Sequence, residues 1–504
     1  MNKILVIGNE TRDTHDTVTV LANNTDSTNY GLITDSNFVP INDGYYHTTV
    51  VDLSPGDIAN LAKYFDTVMM LDQDPGSYPH FKSLITTVRL MYDLELNGIN
   101  TVYKNNASAK KLLYWRNFLK ENKSFCFYPF AALIKDKEFA HLCEKSHLPL
   151  AKINNTEEWQ TDSKFSDIRN KMVNGTLIPE HCNNCYVREA NGQESMRQFE
   201  TLEWANRIGA TSVDDFVNIK KPLYYEIRPS NKCNIMCRTC DDLHSHLIEK
   251  EYKKIGITLS SIKDKYQNTP FNQIDFESVQ AIYVGGGEPT IMSEFYDFLQ
   301  KCISVGRTDF DLNIGTNGLK FSDKIIKLLD HFNNVCFSVS FDGYKKINDY
   351  IRWRSDFDTI VRNTHMLQER GHKIGLQTVF SMYNLTRIHE IFEFYDREFP
   401  GSSSLVNFAN GPDKFEPDNH PCPDLVVESM KRCQQTKVYY ANGRSLKSMV
   451  DLTLKHYSNP DYKVNVDHLR HFYNFNSKLD QSRGSKLVDY IPELEKGCKS
   501  YLPI

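Results

Sequence analysis

Nowhere in the 504 residues do about 18 apolar residues run together, the length a helix needs to cross a bilayer, so hydropathy predicts no transmembrane segment. The opening apolar run, Ile4 to Ile7, stops at Gly8-Asn9-Glu10, too short for the h-region of a secretory signal. A cytoplasmic protein is the expectation. Positive charge is not in excess either: 59 Lys and Arg stand against 64 Asp and Glu, a net charge of -5. That balance gives no global electrostatic case for binding nucleic acid or an anionic membrane. The stretch Gly8-Asn9-Glu10-Thr11-Arg12 lacks the G-x-G-x-x-G spacing that lets a backbone approach a pyrophosphate, which argues against a dinucleotide site there.

What is present is an ordinary soluble composition, 40% apolar and 24% charged, enough to bury real cores and to exclude dominant disorder. A chain of this length divides into three or four domains. Twelve cysteines in a reducing compartment point to metal or redox chemistry rather than disulfides. Three of them form the stretch Cys233-Asn-Ile-Met-Cys237-Arg-Thr-Cys240. Soft thiolates favour zinc, copper(I) or iron-sulfur. No fourth cysteine adjoins the trio, and structural zinc is closed by four ligands. The spacing therefore suggests a 4Fe-4S cluster with one open iron, the alternatives being a zinc knuckle completed by a distant His, or buried thiols.

Taken in order, residues 1–105 read as a small α/β domain suited to docking or recognition, with strands at Ile4 to Ile7 and Thr67 to Leu71 and a helix starting at Ser54-Pro55-Gly56-Asp57. Residues 106–215 carry Cys126, Cys143, Cys182 and Cys185. A hairpin including Ala131 to Ile134 would bring the first two together, and a C-x2-C turn the second two. Four thiolates fill a site, with zinc or iron-sulfur both open on spacing alone. Residues 216–420 alternate strands with helices, the pattern of a parallel sheet. The six strands are predicted at Leu223 to Arg228, Ala281 to Val284, Phe310 to Gly315, Val335 to Ser340, Gly375 to Phe380 and Leu405 to Phe408. Helices are expected at Ser322 to Phe332 and Glu294 to Ile303, with Cys302 in the core. Six repeats suggest a partial barrel, whose C-terminal strand ends build the site. Those ends carry the cysteine trio, Gly285-Gly-Gly-Glu288-Pro289, Thr316-Asn317-Gly318 and Ser340-Phe-Asp342-Gly343. Residues 421–504 read as a mainly helical extension in which Cys422, Cys433 and Cys498 are ordinary thiols.

Residues 223–410 resemble the radical S-adenosylmethionine (SAM) enzymes, on Cys233-x3-Cys237-x2-Cys240 after the first strand and Gly286-Gly287-Glu288-Pro289 after the second. The resemblance implies a partial (β/α)6 barrel, a SAM-binding 4Fe-4S cluster on the trio, and reductive cleavage of SAM to a radical that takes hydrogen from a substrate. It implies SAM contacts from Gly286, Gly287, Glu288 and Pro289, and from Thr316, Asn317, Ser338 and Ser340 near the adenosyl and ribose. It also implies contacts from Arg352, with Arg354 the alternative, to the SAM carboxylate, and from Asn384 after the fifth strand. Phe125-Cys126-x2-Pro129-Phe130, Cys143, Cys182-x2-Cys185 and Glu194-Ser195-x-Arg197 resemble the SPASM and twitch auxiliary modules, here placed before the barrel. That implies a second, auxiliary 4Fe-4S cluster on the four cysteines. A peptide or protein side chain is the implied substrate, a nucleotide or other small molecule the rival, and a reduced flavodoxin or ferredoxin the implied electron donor. A non-catalytic, metal-stabilised binding protein is the reading from a different class.

Overall fold

The structure, a computed structural model, describes five strands before residue 104 and then residues 107–502, except 136–138, 147, 191–194, 260–270, 401, 410–414 and 439–444. The first strands are β1 (Ile4–Ile7), β2 (Tyr30–Thr34), β3 (Tyr46–Thr49), β4 (Thr67–Met70) and β5 (Asn100–Tyr103). They form a wholly parallel sheet in the order β3-β2-β1-β4-β5. The two strands expected there, Ile4 to Ile7 and Thr67 to Leu71, are neighbours in that sheet. The helix expected from Ser54 lies outside the described residues.

Next come β6 (Ala132–Lys135), β7 (Phe139–His141) and β8 (Pro149–Lys152). β6 and β7 make the antiparallel hairpin anticipated between Cys126 and Cys143. Then follow β9 (Tyr224–Ile227), the short β10 (Met236–Cys237), β11 (Ala281–Val284), β12 (Asp311–Thr316), β13 (Asn334–Ser340), the short β14 (Arg352–Trp353), β15 (Lys373–Phe380) and β16 (Ser403–Phe408). Six of these lie parallel in sequence order, β9-β11-β12-β13-β15-β16. Each overlaps a predicted strand. β6 adds in parallel to β9 on the first edge, so the cysteine-rich segment and the six-stranded unit share one nine-stranded sheet.

Alternation sorts the two faces. In β12 and β13, Leu312, Ile314, Val335, Phe337 and Val339 are buried, while Asn313, Gly315, Cys336, Ser338 and Ser340 are half-exposed. The first set joins the main core with helix residues such as Phe295, Phe298, Leu299 and the fully buried Cys302. The second forms the inner face, where Cys336 shares a side with Ser338 and Ser340 as expected. Helices stand where apolar periodicity put them: Ser293–Ser304, and Asp323–Leu329 with the Ser322 side chain capping Ile325 N. The chain after residue 421 is helical, at Pro423–Cys433, Ser445–Tyr457, Val466–Arg483 and Pro492–Tyr501. The last two build a second core, in which Leu469, Phe472, Leu479 and Leu494 gather with Met236, Ile347 and Tyr350. Met236 lies between two cysteines of the trio, so this core sits directly under the trio's loop.

Phe341, fully buried just past β13, touches Phe357, Phe394 and Tyr395 at 5.6, 6.1 and 5.9 Å between ring centroids. Phe341→Ala is expected to cost about 3–5 kcal/mol, read as a lowered thermal unfolding midpoint.

Candidate metal centre and cofactor site

The trio's loop is held first by backbone. Gly285 N donates to Ile227 O (2.9 Å), Gly287 N to Ser230 O (3.1 Å) and Glu288 N to Lys232 O (2.8 Å), which runs the loop after β11 alongside the chain leading to Cys233. Only glycine allows this approach. Gly286 has φ of 107°, and a Cβ there would lie 2.6 Å from Ser230 O; a Cβ on Gly287 would collide with the Lys232 carbonyl. Glu288 is fully buried and its carboxylate accepts from Thr316 Oγ1 (2.8 Å), Asn317 N (2.6 Å), Thr290 Oγ1 (2.7 Å) and Thr290 N (3.2 Å). Burial raises its carboxyl pKa while these bonds pull the other way. Asn317 then donates through Nδ2 to Asn234 Oδ1 (2.7 Å), inside the cysteine loop. The ends of β11 and β12 and the trio are thereby one hydrogen-bonded unit.

On its other side the loop is gripped by β14, with Cys237 opposite Arg352 in an antiparallel ribbon. Buried Arg352 donates through Nη1 to Asp342 Oδ2 (2.8 Å), whose other oxygen takes Val379 N (3.0 Å). The Arg352 Nε has no partner among the described residues. Burial works against the guanidinium charge, but the Cys237 thiol and Asp342 beside it carry its pKa upward. Arg354, the alternative, sits at φ of 73°. The three thiols are half-exposed and are electrostatic neighbours of one another. Burial and the adjacent Cys237 push Cys233 up to about 12.

These residues fit the group the spacing suggests. The three thiols are electrostatic neighbours on one loop, a soft donor set of the kind that holds an iron-sulfur cluster.

A second set of contacts was not anticipated. Arg238, between the second and third cysteines, is fully buried. It donates to Tyr350 O (2.9 Å), Asn476 Oδ1 (2.9 Å), Asp480 Oδ1 (2.7 Å) and Ser485 Oγ (2.9 Å), and its guanidinium lies 3.7 Å from the Tyr350 ring centre. Arg483, on the same helix as Asn476 and Asp480, pairs with Glu251 (2.6 Å) on the helix His246–Lys254 that follows the trio. The C-terminal extension is thus a clamp on the cysteine loop. One signal in the sequence bore on it: Leu469, Phe472, Asn476, Leu479 and Arg483 fall on one helical stripe, where two polar residues need buried partners.

Residues 227–395 match the profile of the Radical SAM superfamily. The chain carries a radical SAM domain. Fe-coproporphyrin III synthase of Methanosarcina barkeri is 30% identical over 118 residues, 23% of this chain and 29% of that protein. Mycofactocin maturase MftC of Mycolicibacterium smegmatis is 30% identical over 122 residues, 23% of this chain and 30% of that one. The chain therefore spans less than a third of either relative. A solved structure of Streptococcus suis SuiB bound to precursor peptide SuiA aligns at 15% identity and a TM-score of 0.30, covering 66% of this chain and 64% of that one.

A radical SAM domain uses a 4Fe-4S cluster and SAM. Of the residues expected to touch SAM, Ser338 and Ser340 line the inner face, while Gly286, Gly287 and Pro289 lie in the loop beside the trio. Thr316 spends its hydroxyl on Glu288, Glu288 accepts from Thr316, Thr290 and the Asn317 backbone, and the Asn317 side chain donates to Asn234 and accepts from Leu319 N. Asn384 makes its bonds within the fold: Nδ2 donates to Asp342 O (2.9 Å) and Val379 O (2.7 Å), and Oδ1 accepts from Ser381 N (2.9 Å). Both amide hydrogens are used inside the fold, so this buried residue pins the end of β15 to the end of β13 and offers no donor to a cofactor.

The other four cysteines, Cys126, Cys143, Cys182 and Cys185, line a single cavity with Tyr128, Lys145 and Arg197. The expected C-x2-C turn is instead part of the helix Pro179–Ala190. Proline at its first position favours a helix start, and the i, i+3 spacing sets both thiols on one face. Arg197, 1% exposed, ties this helix to the Cys126 segment by pairing with Glu189 (2.7 Å) and donating to Phe125 O (2.8 Å). Burial pushes Cys182 up to about 12, with Cys185 adding to it. Glu194 lies outside the described residues.

Asp480→Ala would leave the Arg238 charge buried without its carboxylate, a loss of about 3–5 kcal/mol. The expected outcome is a lowered unfolding midpoint, together with loss of iron from the trio and retention of iron at the four-cysteine site, checked by iron analysis and electron paramagnetic resonance.

Proposed function

We propose that the chain is a radical SAM enzyme that modifies a peptide or protein side chain. The observation that carries this is the pairing of a three-thiol loop with a glycine-lined loop at the C-terminal ends of β9 and β11, on a sheet that also bears a complete four-thiol site. Three ligands leave one coordination position for SAM, and four leave none. Cys233, Cys237 and Cys240 would hold the SAM-binding 4Fe-4S cluster, and Cys126, Cys143, Cys182 and Cys185 an auxiliary one, in the manner of SPASM and twitch modules. When bound, the cluster and SAM supply an electron and a 5′-deoxyadenosyl radical able to take hydrogen from an unactivated position.

The chain's own residues do the rest. The backbone of Gly286 to Pro289 offers its polar groups to the SAM amino group. Arg352, fixed through Nη1 by Asp342, keeps Nε for the carboxylate. Ser338 and Ser340 offer hydroxyls to the nucleoside. The buried Glu288 hub keeps these elements in register and excludes water from beneath the loop. A reduced flavodoxin or ferredoxin would supply the electron. The name mycofactocin maturase is in keeping with substrate modification of the proposed kind, and the name Fe-coproporphyrin III synthase favours the second reading, chemistry on a small molecule.

The test is 5′-deoxyadenosine formation from SAM by anaerobically reconstituted protein with dithionite, followed by mass spectrometry. Cys237→Ala is expected to abolish it; formation at the wild-type rate would refute the assignment. Cys182→Ala is expected to lower iron content by about half, one of two clusters, with SAM cleavage partly retained. Unchanged iron in that variant would mean zinc or free thiols at the four-cysteine site.

A further inference from the structure

The helix Pro179–Ala190 brings one more side chain to the four-cysteine site. Tyr186 stands four residues beyond Cys182, on the same helix face, and long helical side chains lean back toward the N-terminus. Its hydroxyl reaches the start of the helix, where it accepts from Ile178 N (3.1 Å). Cys182 N donates to the carbonyl of that same residue (2.9 Å). The phenol therefore passes over the turn that carries Cys182, and its hydroxyl and the Cys182 thiol are hydrogen-bonding neighbours. Cys182 in turn lines the cavity that the four thiols share.

The direction of the phenol proton follows from its neighbours. The oxygen accepts from Ile178 N, so the proton needs an acceptor of its own. Two are within reach, Ser124 Oγ and Cys182 Sγ. Ser124 spends its hydrogen on Thr176 O, which leaves a neutral hydroxyl oxygen. Cys182 as a metal ligand is a thiolate, and a charged acceptor makes the stronger bond. The proton then belongs on sulfur. Backbone donors serve two of the other thiols, Tyr128 N at Cys126 and Lys145 N at Cys143. Arg197 also lies near Cys182, but Glu189 pairs with it at 2.7 Å and cancels its charge. The Tyr186 hydroxyl is a donor that one substitution can remove without moving the backbone.

We propose that Tyr186 is a positioning residue of the four-cysteine site, whose hydroxyl donates to the Cys182 thiolate and holds the bound 4Fe-4S cluster at a higher reduction potential. The proposal rests on the auxiliary-cluster reading above and adds to it a residue outside the ligand set. Hydrogen bonds to sulfur are among the levers that set a cluster's potential. Reduction adds negative charge to the thiolates and strengthens a bond from a donor already in place, so the donor favours the reduced form.

The test uses the full-length reconstituted protein with Cys233→Ala, Cys237→Ala and Cys240→Ala together, so that iron remains only at the four-cysteine site. A redox titration followed by electron paramagnetic resonance reads the midpoint of the one-electron couple. Adding Tyr186→Phe is expected to lower the reduced-to-oxidised ratio at a fixed potential about tenfold, a midpoint about 59 mV more negative. Ser124→Ala changes the other neighbour of the phenol and should leave the midpoint in place. Incorporating 3-fluorotyrosine in place of Tyr186, a stronger donor of nearly the same shape, should move it the other way and covers the case in which Tyr186→Phe fails to fold. A midpoint that ignores both changes at Tyr186, or that moves as far in Ser124→Ala, overturns the proposal. Zinc in place of iron at this site would overturn the auxiliary-cluster reading as well, a result distinct from an iron-sulfur signal that does not respond to Tyr186.

Discussion

The site depends on one close approach: the backbone of Gly285 to Glu288 lying against Ser230 to Lys232. Without it the end of β11 would have no fixed relation to the cysteine loop, which contains only two residues of regular strand. Glycine permits the approach and Glu288 makes it rigid, since a buried carboxylate is tolerable only when its oxygens are supplied with donors. Those donors come from the end of β12 and from Thr290. A loop motif that reads as a cofactor contact is thus equally the joint between three strand ends. A cofactor bound there would meet a preformed surface.

The second constraint acts from below. Arg238 carries a full charge into the protein interior beside Cys237, and the helix Val466–Arg483 answers it with Asn476 and Asp480 while Tyr350 covers its face. Such a pair adds little net stability over an apolar substitute, but removing one partner is costly. Its use is to fix one arrangement of the loop. The cysteine trio is accordingly held from three directions: backbone from β11, a ribbon from β14, and side chains from the C-terminal helix. The C-terminal extension and the radical SAM domain are structurally inseparable at this point.

The shared sheet also joins the two cysteine-bearing segments. β6 pairs with β9, so the segment that carries the four-cysteine cavity adds to the first edge of the sheet whose first strand leads into the trio. Near that edge Glu226 pairs with Arg228, and Lys145, which lines the four-cysteine cavity, pairs with Glu144. Buried polar groups are expensive unless each has a partner or a ligand.

Much of this was legible in the chain. Each of the six parallel strands was visible as a short apolar or alternating run, because the period of two is imposed by neighbours in sequence. The C-x3-C-x2-C and glycine motifs were visible because their chemistry needs those residues at that spacing. Other features were not. The C-x2-C pair read as a turn but is helical, since helix propensity there comes from Pro179 and from packing of the buried Cys185 side. The pinning role of Asn384 was not legible either, since only the folded chain brings the Asp342 carbonyl to its amide. By itself the sequence determined the strand order's raw material, the metal-binding residue types and the absence of a long apolar span. Tertiary structure alone decided that Asp480, 242 positions away, would neutralise Arg238. The partner of a polar group is chosen by where distant segments pack, and local spacing carries no record of that.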